Sequence, residues 1–169
     1  MMRIILCLFL CLLQGFCFNL SFKNFSSDFT QSVSSKNSKI DYKGHFIITP
    51  NQAFWKYESP NKKEIYINKE DIVIIEHDLE QVIFSKFDKV PNLSEIFKKA
   101  KQIDSKTYEV KYDNINYTIK LNKDSVENIS YQDEFENNIL IEFYNQNKDD
   151  FINSNVFTPK IPKHYDKVR

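Results

Sequence analysis

Cysteine is missing from residue 18 to the end of the chain, because Cys7, Cys11 and Cys17 are the only three in 169 residues. A domain formed by residues 18–169 therefore has no disulfide, no thiol nucleophile and no cysteine metal ligand. Glycine is nearly missing too, with two residues in the chain, and no glycine-rich phosphate loop can be found. Asn and Asp are then expected to supply the left-handed turn positions that glycine usually takes.

No apolar run is long enough to span a membrane. The run at residues 4–13 has ten residues, against about twenty for a membrane helix. It follows a single Arg and precedes a Gly-Phe-Cys sequence that resembles a signal-peptidase site ending at Cys17. We therefore expect residues 1–17 to be a cleaved secretory signal peptide and residues 18–169 to form one domain. A retained membrane anchor is the alternative.

Neither sign of charge is in excess. The chain has 23 Lys and Arg against 23 Asp and Glu, and the two signs are mixed along the sequence. Nucleic-acid-binding domains carry a basic patch or stripe, so no nucleic-acid partner is expected. Lysine pairs such as Lys62 with Lys63 are typical of a solvated surface.

What the chain does have is aromatic and β-branched residues with a period of two. In one strand Tyr42, Gly44, Phe46 and Ile48 fall on the same side, and Pro50 ends the strand. Further strands of this kind are predicted at residues 54–58, 64–68, 72–75, 81–85, 107–113, 117–121, 128–135 and 139–145. Hairpins at this spacing predict a mainly β protein whose antiparallel sheet curls into a sandwich or barrel.

One segment has the period of a helix instead. Leu93, Ile96, Phe97 and Ala100 are spaced i, i+3, i+4, i+7, and Asn92 precedes them as an N-cap with a Glu three residues on. A short amphipathic helix packed on the sheet is predicted here.

Two other segments are harder to interpret. Between Phe22 and Val33 the apolar residues suit both a helix and a strand. The tail after Asn155, with Pro159 and Pro162, is interpreted as an extended edge strand that ends irregularly.

Residues for catalysis or metal binding are sparse. His45, His77 and His164 lie far apart, and neither a nucleophile elbow nor a paired-histidine motif is present. His77 beside Asp78 could pair with a distant carboxylate, but surface positions are expected for all three histidines. The acidic cluster at residues 76–80 is interpreted as a solvated turn. We therefore expect no enzyme, no cofactor and no metal site.

Six short motifs occur in a fixed order over most of the chain. They are Phe-Thr-Gln, a glycine strand ending in Pro, a Trp-x-Tyr sequence followed by Pro, an Asp-Leu-Glu-Gln-Val sequence, a late hairpin and a closing Phe-Pro-Pro tail. They stand at residues 29–31, 44–50, 55–60, 78–82, 131–146 and 157–168. In this order they resemble the motifs of the periplasmic outer-membrane lipoprotein carrier family, LolA.

The resemblance implies an incomplete antiparallel β-barrel, or half-barrel, with a short helical lid over an apolar cavity. It implies a monomeric periplasmic chaperone that binds the acyl chains of lipoproteins and performs no chemical step. An inner-membrane lipoprotein-release transporter would supply the cargo, and an outer-membrane acceptor, where present, would take it up with higher affinity.

Cavity and lid residues follow from combining this resemblance with the strand pattern. The expected cavity residues are Phe46, Ile48, Phe54, Trp55, Ile72, Ile74 and Ile83. The expected lid residues are Leu93, Ile96 and Phe97. If the other strand face points inward, the neighbours Ile47, Val73 and Ile75 replace them.

The chain departs from the family pattern at the expected cavity mouth. Thr49 stands where the family commonly has an Arg. The resemblance implies that this Arg helps to hold the lid closed, so in this chain other residues must hold the lid or the lid must be held more weakly. Ala53, with Phe54 beside it, stands where the family has an aromatic residue two before Trp55. The first lid helix is also expected to be short, since only about a dozen residues precede Phe29 after the signal peptide.

Three alternatives stay open on the sequence alone. The aromatic residues could fill an ordinary sandwich that has no cavity. A lipoprotein sensor or acceptor module of the same shape would bind cargo without ferrying it, and a lipid anchor or second domain would be expected with it. A small periplasmic hydrolase would need a nucleophile beside one of the three histidines.

Overall fold

The computed structural model describes residues 23–86, 96–97 and 99–168. Nearly all the regular structure among them is β-strand. The strands are β1 (Phe25–Ser34), β2 (Lys39–Ile48), β3 (Gln52–Ser59), β4 (Lys63–Asn68), β5 (Asp71–Glu76), β6 (Gln81–Lys86), β7 (Lys101–Gln102), β8 (Thr107–Tyr112), β9 (Ile115–Asn122), β10 (Ser125–Gln132), β11 (Asn138–Lys148) and β12 (Asp166–Val168). Short 3₁₀ turns lie at His77–Leu79 and Ser154–Phe157. The expected signal peptide, residues 1–17, lies outside the described residues.

The twelve strands form one open sheet in the order β12-β6-β5-β4-β3-β2-β1-β11-β10-β9-β8-β7. The hairpins make the sheet antiparallel, and β12 pairs in parallel with β6. The sheet is not closed into a barrel, because β12 and β7 stand at its two edges. The prediction of a mainly β, incomplete antiparallel barrel is therefore confirmed. All nine predicted strands are present, although β10 begins and ends three residues earlier than expected.

The ambiguous N-terminal segment is a strand. Phe25, Ser27 and Phe29 are buried and alternate with half-buried neighbours, which is the period of a strand. This strand, β1, is central in the sheet because it pairs with both β2 and β11. The fully buried Ser27 hydroxyl donates a hydrogen bond to the Tyr144 carbonyl oxygen of β11 at 2.8 Å.

Several turns use left-handed residues other than Asn and Asp. Asp113 and Asn114 fit the expectation, with φ of 47° and 64°. Lys69, Lys123 and Glu136 occupy the same region, with φ of 56°, 54° and 62°. The expectation that Asn and Asp supply these positions is therefore only partly right. Paired strands on both sides fix the turn geometry, and a long side chain is tolerated there at a cost of about 1–2 kcal/mol.

Each face of the sheet carries its own apolar cluster. The inner cluster spans β1–β3 and β8–β11, and its most buried members include Phe25, Phe29, Phe46, Ile119 and Val126. The outer cluster lies on the opposite face of β3–β6, and its buried members are Phe54, Tyr66, Ile75, Val82 and Phe157. Because strand side chains alternate between faces, both faces of β3–β6 are apolar.

The C-terminal segment packs on the outer face. Ile152, Phe157, Ile161 and Tyr165 all contribute to the outer cluster. Only Asp166–Val168 forms the expected edge strand. The rest of the tail is a 3₁₀ turn and irregular chain, because its two prolines cannot donate to a strand ladder. In the described part of the chain, no helix is long and apolar enough to cross a membrane.

Candidate ligand cavity

A cavity of about 500 Å³ opens on the inner face of the sheet. Its volume is in the range of small-molecule binding sites. One wall comes from β2–β4 and includes Ile48, Trp55 and Ile67, and the other comes from β9–β11 and includes Ile129 and Phe143. Because the walls are mostly apolar, a hydrocarbon ligand would leave few polar groups unpaired.

Three of the expected cavity residues lie together in the first wall. Ile48 and Trp55 line the cavity directly. Phe46 lies behind Trp55, with the two rings stacked at a centroid distance of 4.6 Å and an interplanar angle of 15°. Since Phe46 is only 1% exposed, it supports the wall and does not form its surface.

Ile72, Ile74 and Ile83 lie on the same face of the sheet by register. Ile72 pairs with the cavity-lining Ile67. Trp55 pairs with Ile65 of β4, which pairs with Ile74 of β5. Ile74 in turn pairs with Ile83 of β6. Side chains paired in this way point to the same side of a sheet. The three isoleucines therefore extend the apolar inner face beyond the cavity toward β6.

Phe54 lies on the other face, so its expected place in the cavity is wrong. It is 8% exposed and packs in the outer cluster, where its ring centroid is 4.9 Å from that of Tyr66. Adjacent strand residues point to opposite faces, so Phe54 and Trp55 cannot both face the cavity. The alternative inward residues also belong to the outer cluster, namely Ile47, Val73 and Ile75.

Two of the three expected lid residues can be placed. Ile96 and Phe97 are helical, are 1% and 4% exposed, and belong to the inner cluster. Ile96 also lines the cavity. They lie in the connection from β6 to β7, strands that stand near opposite edges of the sheet. The expected Leu93 lies outside the described residues.

The second wall is missing from the sequence interpretation. Ile129, Ile141 and Phe143 line it, together with Tyr117 and Tyr131. The period of two in β9, β10 and β11 was a sufficient signal that these residues share one face. It gave no sign that this face lies opposite Trp55, because that depends on which strands are neighbours in the sheet.

Polar residues of two turns form the mouth of the cavity. Thr49 and Asn51 lie between β2 and β3, Gln52 is the first residue of β3, and Lys69 lies between β4 and β5. The Gln52 N–H donates to Thr49 Oγ1 at 3.1 Å, and the Thr49 N–H donates to the Gln52 carbonyl oxygen at 2.8 Å. The Lys69 N–H donates to the Asn51 carbonyl oxygen at 3.2 Å. The Thr49 side chain and N–H therefore both form hydrogen bonds within the turn between β2 and β3.

The histidines lie outside the cavity lining. His45 Nδ1 is 2.7 Å from a carboxylate oxygen of Asp28. His77 Nδ1 is 3.0 Å from the Tyr165 hydroxyl, and its Nε2 is 3.8 Å from Glu64. These contacts join neighbouring strands and hold the C-terminal segment on the outer face. Among the residues with described positions, no three His, Cys, Asp or Glu are grouped so as to hold a metal ion.

The sequence matches a known family. Residues 21–114 match the family model of the outer membrane lipoprotein carrier protein LolA. The chain is 56% identical to the outer-membrane lipoprotein carrier protein of Campylobacter jejuni subsp. jejuni serotype O:2 over 169 residues, which is 100% of both chains. It is 30% identical over 128 residues to the protein of the same name from Wolinella succinogenes, covering 74% of each chain.

The fold matches a solved structure at low sequence identity. The crystal structure of a LolA superfamily protein from Nitrosomonas europaea has a TM-score of 0.54 and 10% identity, over 84% of this chain and 93% of that one. At this identity the likeness shows the fold alone, and the sequence matches carry the family assignment. The chain belongs to the outer membrane lipoprotein carrier protein LolA family.

Proposed function

We propose that this protein is a periplasmic chaperone that binds the acyl chains of lipoproteins in its cavity. The observation that carries the proposal is an open, mostly apolar cavity of about 500 Å³, covered by helical residues whose side chains Ile96 and Phe97 are buried. A filled sandwich would have no such space between its walls. A relative that is 56% identical over the whole chain is named an outer-membrane lipoprotein carrier protein, which supports the same function.

The cavity meets a solubility requirement of the cargo. Each methylene moved out of water is worth about 0.8 kcal/mol, so exposed acyl chains bind to the nearest membrane or aggregate. A ligand that buries ten methylenes gains about 8 kcal/mol, from which the lost freedom of the bound ligand must be subtracted. The flat apolar surfaces of Trp55 and Phe143, on different walls, suit an extended hydrocarbon chain.

Transport needs no chemical step. In our proposal an inner-membrane lipoprotein-release transporter supplies the cargo, and an outer-membrane acceptor with higher affinity removes it. Direction then follows from differential affinity, because a population shifts only as far as binding energies differ. The protein acts as a monomer, and residues 1–17 direct its export and are removed.

The acyl-binding surface in this proposal comprises both walls. Ile48 and Trp55 form the first contact surface and Phe46 supports it, while Ile72, Ile74 and Ile83 extend it toward β6. Ile129, Ile141 and Phe143 form the second wall, and Phe54 has no part in binding. These assignments are supported by the cavity lining and the strand register.

A binding titration tests the proposal. Trp55 is the only Trp in the chain, so its fluorescence reports on the cavity wall. A synthetic triacylated lipopeptide should change the emission saturably at about one site, and the deacylated peptide should leave it unchanged. Ile48→Asp should weaken binding at least about tenfold, because it places an unpaired charge on the wall. Lys43→Asp, at an exposed position of the same strand, is the control.

Equal responses to the acylated and deacylated peptides would contradict the proposal. So would unchanged affinity in a folded Ile48→Asp variant, because that residue lines the cavity.

The lid assignment has its own test. Phe97→Glu places a charge among apolar side chains, which costs several kcal/mol where the helix stays packed. If the helix is a lid, it should lift, so that lipopeptide affinity changes while the far-ultraviolet β signal and the unfolding midpoint of the sheet are kept. Lys101→Glu, at an exposed position shortly after the same helix, should change neither property. Cooperative loss of the fold in Phe97→Glu would make the helix part of the core.

A further inference from the structure

We propose that Tyr117 and Tyr131 donate hydrogen bonds to the carbonyl oxygens of acyl chains bound in the cavity. The proposal rests on the acyl-binding function proposed above and deepens it, because it names the chemical group that the cavity recognises. The cavity would then distinguish acyl chains from other hydrocarbon chains.

The two tyrosines stand side by side on the inner face. They are Cα partners across β9 and β10, and their ring centroids are 4.8 Å apart at an interplanar angle of 44°. Both side chains line the cavity and pack against the inner cluster. Both are half-buried, so the pair forms part of the cavity wall.

The hydroxyl groups of this pair have no partner in the described structure. The nearby Tyr57 hydroxyl donates to the Gln31 side chain at 3.1 Å. By contrast, neither the Tyr117 nor the Tyr131 hydroxyl forms a hydrogen bond with a residue of known position. Every fully buried side-chain oxygen in the described part of the chain has a partner, so these two oxygens keep accessible surface and can meet a ligand.

A tyrosine hydroxyl group in an apolar cavity wall is costly unless a ligand or water accepts its hydrogen bond. Phenylalanine would fill the same space without a polar atom, and a hydroxyl that a ligand covers without accepting its hydrogen loses its bond to water. Burial raises the pKa of Tyr131 to about 12 and raises the pKa of Tyr117 from its ordinary value. Both groups are therefore neutral hydrogen-bond donors at physiological pH.

Acyl chains contain the acceptor that fits these donors. A methylene chain has no hydrogen-bond acceptor, but each acyl chain ends in an ester or amide carbonyl where it joins the rest of the lipid. Two adjacent donors on a mostly apolar wall would pair with one or two such oxygens and fix the depth to which the chains enter. An ether-linked chain of the same length offers only its ether oxygen, which is a weaker acceptor than an ester or amide carbonyl.

Two lipopeptides that differ only in this group test the proposal. One carries two ester-linked chains, and the other carries two ether-linked chains of equal length. Titrated against the purified protein, the ester form should bind roughly fivefold to tenfold more tightly, as expected for one net neutral hydrogen bond. Tyr131→Phe and Tyr117→Phe should each reduce this preference. The double variant should abolish it, because the ester form loses its hydrogen bonds while the ether form binds at least as tightly as it does to the wild-type protein.

Tyr112→Phe is the matched control, because Tyr112 packs against the inner cluster but does not line the cavity. It should keep the full preference. Equal binding of both lipopeptides by the wild-type protein would overturn the role of the tyrosines and leave acyl binding intact, as would a full preference in the double variant. Failure of the wild-type protein to bind either lipopeptide would instead overturn the proposed function.

Infrared spectroscopy gives a second readout that does not depend on the double variant. A carbon-13 label at the ester carbonyl, or in a separate sample at an amide carbonyl, isolates each stretching band of the bound lipopeptide. The accepting carbonyl should absorb at lower frequency in the wild-type complex than in the Tyr131→Phe complex. The ester band should carry the shift, because the two lipopeptides differ at that group, and an unshifted ester band would overturn the proposal.

Discussion

Replacing Gly44 by Ala tests how closely the cavity wall is packed. A Cβ atom added at Gly44 would lie 2.0 Å from the carbonyl oxygen of Lys56 and 2.8 Å from the ring of Phe29. Phe29 is fully buried, and its ring centroid is 5.4 Å from that of Trp55 in the cavity wall. The added methyl group therefore has no free space, and its effect should reach the cavity.

The two contacts differ in how they can relax. The Phe29 ring packs against the rings of Phe46, Trp55 and Tyr57. The Lys56 oxygen instead belongs to the backbone of β3, which pairs with both β2 and β4. Overpacking a core costs about 1–3 kcal/mol, and a contact of 2.0 Å with backbone places Gly44→Ala at about 3 kcal/mol or above. An unstrained glycine-to-alanine change would instead stabilise the protein by about 0.4–1 kcal/mol. A lower free energy of unfolding in Gly44→Ala would therefore show that the site is closely packed, and a higher one would show that it is not.

Denaturant unfolding followed by Trp55 fluorescence measures this free energy, and thermal unfolding should show a midpoint lowered by about 6–12 °C. Adding Phe29→Leu to the Gly44→Ala variant should recover little stability, because the backbone contact remains. Unchanged or raised stability of Gly44→Ala would refute the close approach of β2 and β3 at this point. Full recovery with Phe29→Leu would show that the ring, and not the Lys56 oxygen, is the obstacle.

Phe54→Ala should lower the free energy of unfolding by about 3 kcal/mol and leave lipopeptide affinity unchanged, as titration would show; lost affinity at unchanged stability would return Phe54 to the cavity. His77→Ala should keep full lipopeptide binding and transfer, because its contacts lie outside the cavity. Hydrogen bonds from Asn145 and His45 lower the pKa of Asp28 from 3.8. Its contribution to stability is thus complete above that value and is lost as pH falls through the lower folded-state pKa. Asp28→Asn should remove this part of the acid dependence, measured by urea unfolding between about pH 2 and pH 5.

The strand pattern predicts one half of the site better than the other. Phe46 and Ile48 alternate with polar or less buried neighbours, so the sequence places them on one face, and both lie in the inner cluster. In β3–β6 both faces are apolar because the C-terminal segment covers the outer one, and alternation of hydrophobicity then carries little information about direction. Phe54, which directly precedes Trp55, was misplaced for this reason.

The second wall depends on pairing between distant parts of the chain. β11 lies beside β1 in the sheet, and this brings Phe143 to a ring distance of 5.4 Å from Phe46. No local pattern specifies that pairing, since the two residues are separated by most of the sequence. A period of two identifies which residues of a strand share a face, but the order of strands decides which faces meet across a cavity.

If the helix acts as the lid proposed above, its closure rests on apolar burial. Thr49, at the position where the family commonly has Arg, hydrogen-bonds within its own turn. Fully burying an Ile or Phe side chain is worth about 1.5–3 kcal/mol, so lifting Ile96 and Phe97 together costs about 3–6 kcal/mol. An acyl chain that buries eight methylenes in their place gains about 6 kcal/mol. Under this proposal cargo and lid compete for the same apolar wall on nearly equal terms, and a lid held in this way would open to cargo and close again after its release.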